Sequence, residues 1–121
     1  MPWVHERGDV VWITTDPTAG HEQSGRRAAL VLSPADYNST VGLAVFCPIS
    51  SQVKGYPFEV RVPDGLPLAG VVLADQARSL DWRARAADLL CPVPPETVLT
   101  VLQRLETFLS PCGAARGVSR V

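Results

Sequence analysis

Short apolar runs, separated by polar turn signals, make up most of the chain. Residues 58–62 alternate apolar and polar positions, which is typical of a strand with one buried face. Residues 10–14 carry apolar side chains at both parities, so both faces of that strand are predicted to be covered. Further strands are predicted by the apolar runs at 27–33, 43–49, 70–74, 78–82 and 89–93.

A helical pattern follows these strands at 95–109. Apolar residues recur there with i, i+3, i+4, i+7 spacing, at Val98, Val101, Leu102, Leu105, Phe108 and Leu109. Leu99 is apolar in excess of that pattern. A shorter helical turn is predicted at 33–38, with Ser33 as its N-cap and Pro34 at the first helical position.

Many short strands and one late helix predict a mainly β fold with a C-terminal α-helix. The expected form is a small, strongly bent sheet or barrel on which the helix packs. Residues 1–109 are predicted to form a single domain. Residues 110–121, rich in small residues and arginine, are predicted to be a flexible C-terminal tail.

The amino-acid composition limits the structural and functional classes to which the chain can belong. The 121 residues are 46% hydrophobic and 19% charged, as in a packed domain rather than a disordered chain. No apolar run reaches membrane-spanning length and the N-terminus has no signal-peptide core, so a cytoplasmic location is expected. Three cysteines without paired spacing predict neither a disulfide framework nor a zinc site. The net charge of −1 gives no overall basic field for nucleic acid.

Three polar segments lie at predicted strand ends, at 22–27, 50–54 and 75–85. Because strand ends converge in a small barrel, these segments are expected to share a groove. They combine positive charge, hydroxyl groups and amides, at Arg27, Lys54, Ser50, Ser51, Gln52 and Gln76. Tyr56, Phe58 and Trp82 suit base stacking, although Phe58 and Trp82 suit core positions as well. The pattern predicts a site for single-stranded nucleic acid.

Other chemistries fit the sequence less well. The chain has neither a P-loop nor the GxSxG motif of serine hydrolases. His5 and His21 are too few and too far apart to indicate a metal site. A two-histidine ribonuclease would rest on the same two residues without any motif.

The order of the motifs resembles the MazF/PemK family, the toxin endoribonucleases of type II toxin–antitoxin modules. Six segments match in register: GDVVW, DPT, EQSGRR, LVLSP, PISSQ with KGYPFEV, and ADQARSLDWR. The similarity spans about residues 8–109. Each segment is weakly specific by itself, and the specificity lies in their common order.

The resemblance implies an SH3-like β-barrel, a fold that these toxins share with the CcdB-like gyrase-poisoning toxins, and a two-fold homodimer. It implies sequence-specific cleavage of single-stranded RNA, such as mRNA, without metal or other cofactor. The implied products are a 2′,3′-cyclic phosphate and a 5′-hydroxyl. The resemblance also implies inhibition by a MazE-like antitoxin, whose C-terminal segment would lie across the dimer.

The resemblance further implies which residues act. Arg27 matches the family's strand-root arginine and is expected to stabilise the phosphorane. Ser50 matches the catalytic hydroxyl, which is usually threonine, and the missing branch predicts a less restricted side chain. Glu22 is expected either to orient Arg27 or to act as base. RNA binding is assigned to Gln23, Arg26, Ser51, Gln52, Lys54, Tyr56, Gln76, Arg78, Trp82 and Arg83.

Two alternatives from other functional classes remain at this point. A gyrase-poisoning toxin of the same fold binds a protein and cleaves nothing. An SH3-like binding module would use the barrel only as a docking surface. Arg27 and Ser50 favour the ribonuclease, because a pure binder needs neither residue.

Overall fold

The computed structural model describes residues 4–14 and 26–110. Within these ranges the chain forms seven strands, two α-helices and one 3₁₀ turn. The strands are β1 (Asp9–Thr14), β2 (Arg26–Val31), β3 (Ala44–Ser50), β4 (Glu59–Arg61), β5 (Val71–Leu73), β6 (Arg78–Leu80) and β7 (Asp88–Pro92). The helices are α1 (Ala35–Val41) and α2 (Pro95–Leu109), and the 3₁₀ turn is Ala74–Gln76.

The strands form one bent antiparallel sheet. They pair in the order β4, β5, β3, β2, β1 and β7, and β6 also pairs with β3. The long strand β3 makes the corner, because residues 44–48 pair with β2 and β6 while its last two residues pair with β5. The mainly β fold with a C-terminal helix is confirmed. In the described residues β4 and β7 do not pair, so the sheet is open at its ends rather than a closed barrel.

Two hydrophobic clusters cover opposite faces of this sheet. The helix-side cluster joins sheet residues such as Val10 and Leu30 to Val98 and Val101 of α2. The second cluster consists of Val11, Ile13, Ala29, Val31, Ala44, Phe46 and Trp82. The apolar residues of β1 at both parities are therefore buried as predicted, apart from Trp12, which is 39% exposed.

The cap of α1 differs from the prediction. The helix begins at Ala35, and the hydroxyl of Ser33 points inward, where it donates to Asn38 Oδ1 and accepts from the Val45 N–H. A distant carboxylate, Glu6, accepts a hydrogen bond of 2.8 Å from the Ala35 N–H instead. Backbone N–H groups of Arg7 and Ala35 lower the pKa of Glu6, since they favour its ionised form. Ser33 is thus a core hydroxyl rather than an N-cap.

The apolar stripe of α2 is only partly covered. Thr97, Val98 and Val101, in the first two turns, are buried against the sheet. Phe108 and Leu109 are 52% and 66% exposed, although Phe108 makes an edge-to-face contact with Phe58. The helix packs on the sheet as predicted, and its apolar stripe is more exposed toward the C-terminal end.

Neither helix in the described parts of the chain has the length and apolarity needed to cross a membrane.

Candidate active site

Arg27 and Ser50 lie just beyond the paired residues of β2 and β3. Ala29 lies opposite Pro48, and Val31 lies opposite Phe46, in the antiparallel pairing of β2 with β3. Arg27 and Ser50 each lie two residues beyond the Ala29–Pro48 pair, after which β3 turns to pair with β5, and alternation along β2 puts Arg27 on the face of Ala29. The two residues predicted to act on the phosphate line the same depression of the surface.

This face opens into a groove of about 780 Å³, which we call the candidate groove. Its floor is apolar and includes Ile13, Ala29, Phe46 and Pro48. Its polar lining includes seven of the predicted site residues: Arg26, Arg27, Ser50, Ser51, Gln52, Gln76 and Arg78. A concave site with an apolar floor and convergent polar groups is typical of a ligand-binding site.

Arg27 is exposed and directed to this groove. No hydrogen bond or ion pair engages its guanidinium among residues 4–14 and 26–110. A guanidinium offers five donors in a planar fork that matches phosphate oxygens. Arg27 therefore has its donors available for an anionic ligand.

Arg26 plays a different part from the one predicted. It donates to Thr14 Oγ1 and to the Ala86 carbonyl, each at 3.0 Å, and forms an ion pair of 3.1 Å with Asp88. A further bond reaches the Trp12 carbonyl. These bonds tie β2 to β1 and to the start of β7. Although Arg26 lines the groove, its donors serve as a structural anchor rather than as the predicted RNA ligand.

The hydroxyl of Ser50 is restrained by its own loop. The Gln52 N–H donates to Ser50 Oγ at 3.0 Å. The backbone of Ser50 is also confined, because a Cβ on Gly70 would lie only 2.2 Å from the Ser50 carbonyl oxygen. The prediction of a less restricted side chain, drawn from the missing branch, overlooked this hydrogen bond.

Several predicted RNA-binding residues lie outside the candidate groove. Trp82 is buried in the second hydrophobic cluster, where its Nε1–H donates to the Asn38 carbonyl at 3.0 Å. Its ring is consequently unavailable to stack a base, and the core alternative is correct. Arg83 places its guanidinium 4.7 Å from the centre of that ring. Lys54 and Tyr56 lie beyond the groove, and Tyr56 lines a neighbouring depression.

Two groove residues were missed in the sequence. Trp12 was assigned to a covered strand, yet its exposed side chain lines the groove. Arg85 also lines it and donates to the Thr14 carbonyl at 3.3 Å. An aromatic residue near a strand end is a weak signal for Trp12. Arg85 ends the polar segment 75–85, which was expected to reach the groove, but it was given no role of its own.

Glu22 and Gln23, which were predicted as a catalytic and an RNA-binding residue, lie outside the described residues. Their roles stay predictions.

No group of three or more histidine, cysteine or acidic residues in the described ranges is placed to hold a metal ion. Burial, with a smaller contribution from the charge of Asp75, raises the pKa of Cys47 to about 12. A thiol that stays protonated at neutral pH is a poor nucleophile, so Cys47 is a core residue.

The sequence profile of the PemK-like, MazF-like toxins of type II toxin–antitoxin systems matches residues 6–109. This chain belongs to that family. The endoribonuclease toxin MazF of Escherichia coli K12 is 43% identical over 107 residues, a match that covers 88% of this chain and 96% of that relative.

Solved structures of the MazF/PemK family share the fold. A crystal structure of MazF from Deinococcus radiodurans is 51% identical, with a TM-score of 0.81, and the match covers 89% of this chain and 98% of that one. A MazE–MazF structure from the same organism is 45% identical, with a TM-score of 0.80, covering 89% and 97%. The predicted family and its toxin fold are confirmed.

Proposed function

We propose that this protein is an endoribonuclease toxin that cleaves single-stranded RNA at short sequences and is inhibited by a cognate antitoxin. The endoribonuclease activity of relatives such as MazF supports the reaction class. The presence of Arg27 and Ser50 in one groove is the observation that carries the proposal. A docking surface alone would not require an available guanidinium beside a positioned hydroxyl.

The chemistry uses a nucleophile that RNA itself supplies. The 2′-OH loses its proton to solvent and attacks the adjacent phosphorus, and the bond to the 5′ oxygen breaks as that oxygen takes up a proton. The products are a 2′,3′-cyclic phosphate and a 5′-hydroxyl. The intermediate phosphorane carries more negative charge than the starting phosphate. Preorganised donors aimed at that charge lower the barrier without requiring metal.

Arg27 and Ser50 divide this task. A guanidinium stays protonated at neutral pH, so Arg27 is assigned to phosphorane stabilisation and to proton donation rather than to base catalysis. Ser50 Oγ accepts from the Gln52 N–H and donates a longer bond of 3.4 Å to the Gln52 carbonyl. We assign this hydroxyl to donation to a non-bridging phosphate oxygen, in place of that longer bond, when RNA is bound. Glu22 is assigned to orienting Arg27.

The rest of the groove is suited to reading bases. Ser51, Gln52 and Gln76 present hydroxyl and amide groups, which can pair with the edges of unstacked bases. Arg78 supplies a second positive charge on the same face, since it pairs with Phe46 across β3 and β6. Trp12 offers an aromatic surface for a base.

The proposed partners follow from the family. Relatives have been crystallised as MazE–MazF complexes. We assign this toxin a homodimeric state and an antitoxin whose C-terminal segment lies across the dimer. The cytoplasm is the expected site of action, because the proposed mRNA substrate is there.

Incubation of purified protein with a long, sequence-diverse single-stranded RNA in EDTA tests the proposed function. We expect cuts at a short recurring sequence, with 2′,3′-cyclic phosphate and 5′-hydroxyl ends. Cleavage that requires added metal, or ends of the opposite type, would contradict the mechanism. Intact RNA together with inhibition of DNA supercoiling would favour the gyrase-poisoning alternative.

A further inference from the structure

The loop that carries two groove residues has little packing of its own. This β3–β4 loop, residues 51–58, follows Ser50 directly and places Ser51 and Gln52 on the groove rim. Its residues 51–55 are all exposed, and Val53 is 67% exposed. Buried apolar contacts therefore do not hold the first half of the loop in place.

Hydrogen bonds to the carboxylate of Glu59, at the start of β4, hold the loop instead. Glu59 Oε1 accepts from the Gly55 N–H at 2.8 Å, and Oε2 accepts from the Lys54 N–H at 3.0 Å. The Glu59 N–H in turn donates to the Tyr56 carbonyl at 3.2 Å. Hydrogen bonds to an ionised carboxylate are stronger than those between neutral groups. Gly55 has a φ of +87°, so the turn that presents these amides favours glycine.

The far end of the loop is fixed to the body of the protein. Arg104 of α2 donates to the Pro57 carbonyl at 2.5 Å, and Phe58 contacts Phe108 edge to face, with ring centres 5.4 Å apart. The Ala74 N–H also donates to the Phe58 carbonyl at 3.0 Å. The backbone next to Glu59 is thus fixed by contacts with α2 and Ala74, and the Glu59 side chain contacts the preceding residues of the loop.

We propose that Glu59 is a positioning residue, which holds the β3–β4 loop so that Ser51 and Gln52 face the substrate. Only Val53 separates Gln52 from the tethered Lys54 amide, so the bonds to Glu59 fix the chain just after the groove residues. A carboxylate beside a polyanion site opposes binding by charge repulsion. The two hydrogen bonds from the Lys54 and Gly55 amides explain why an acidic residue occupies position 59 despite this repulsion. This inference rests on the proposed RNA cleavage.

Substitutions at Glu59 separate positioning from charge. Glu59→Ala removes both hydrogen bonds, and Glu59→Gln can retain one of them. Positioning predicts a fall in kcat/KM of roughly tenfold for Ala, mostly as a rise in KM, and a smaller fall for Gln. A purely electrostatic role predicts the opposite, because loss of the negative charge would tighten RNA binding in both variants.

Asp64→Asn is the matched control. Asp64 is an exposed acid near the same loop, and its side chain forms no hydrogen bond or ion pair within the described ranges. Its substitution removes a charge without removing a tether and should leave KM within about twofold, as expected for a surface charge. An equal rise in KM in Asp64→Asn and Glu59→Gln would overturn the proposal.

Amide hydrogen exchange tests the tether without any RNA. In the unmodified protein the Lys54 and Gly55 N–H groups should exchange slowly relative to that of Val53. Both should lose this protection in Glu59→Ala, and at least one of them should lose it in Glu59→Gln. Equal exchange at all three amides would overturn the proposal. Because Glu59→Gln is nearly isosteric, it can be used for this measurement if Glu59→Ala lowers the yield of folded protein. An unmodified protein that cleaves no RNA would instead contradict the proposed function.

Discussion

The adjacent arginines Arg26 and Arg27 have different roles in this protein. Arg26 and Arg27 follow one another on β2, so their side chains leave opposite faces of the strand. Arg26 anchors neighbouring strands through Thr14, Ala86 and Asp88, whereas Arg27 is exposed in the candidate groove. Both arginines line the groove, and the bonds of Arg26 to neighbouring strands leave Arg27 as the one with donors available to a phosphate.

Gly70 is required by the backbone of Ser50. A Cβ at Gly70 would overlap the Ser50 carbonyl oxygen at 2.2 Å, whereas a Cβ at Gly65 would meet nothing within 4 Å. Both glycines have positive φ values, of +137° and +94°, so alanine is strained at either position. Gly70→Ala should therefore cost roughly 1–3 kcal/mol more stability than Gly65→Ala, and should reduce cleavage as well.

Thermal or denaturant unfolding of both glycine variants measures this difference, and single-turnover cleavage measures displacement of Ser50. Equal losses of stability in the two variants would mean that the contact with Ser50 is relieved at no cost.

The sequence predicts some secondary-structure elements more accurately than others. The apolar period of 95–109 predicts α2 well, because a helix repeats every 3.6 residues whatever it packs against. Its period does not show which apolar positions the sheet covers, and Phe108, a member of the stripe, is 52% exposed. Ser33 failed as an N-cap for a similar reason, since its partners Asn38 and Val45 are set by tertiary contacts.

Helix α2 also bears on assembly. Leu99 and Leu109 are 55% and 66% exposed, and Phe108 is half exposed. An isologous contact between two copies would cover such residues and fits the homodimer proposed for this family member. Sedimentation velocity at micromolar concentration should give twice the 13.0 kDa chain mass. A monomer at that concentration would remove the proposed antitoxin site across two subunits.

At the scale of the whole molecule, the bend at β3 assembles the site. The strand carries Phe46 and Pro48 along the groove floor and ends at Ser50, where it pairs with β5. The three polar segments were correctly predicted to supply one groove, because strand ends converge when a sheet bends. Their members could not be sorted by sequence: Trp82 stands among polar residues, yet tertiary packing around Asn38 buries it.

The central claim is that Arg27 and Ser50 act together on one phosphate. A double-mutant cycle tests it, with Arg27→Ala, Ser50→Ala and the double variant compared in single-turnover cleavage of a defined RNA. Arg27→Ala should lose ~10²–10³-fold or more, with fold and dimer retained. The double variant should be little worse than the more damaged single variant, because residues that act as a unit are strongly non-additive. Losses that multiply, or near-normal cleavage by folded Arg27→Ala, would contradict the shared site.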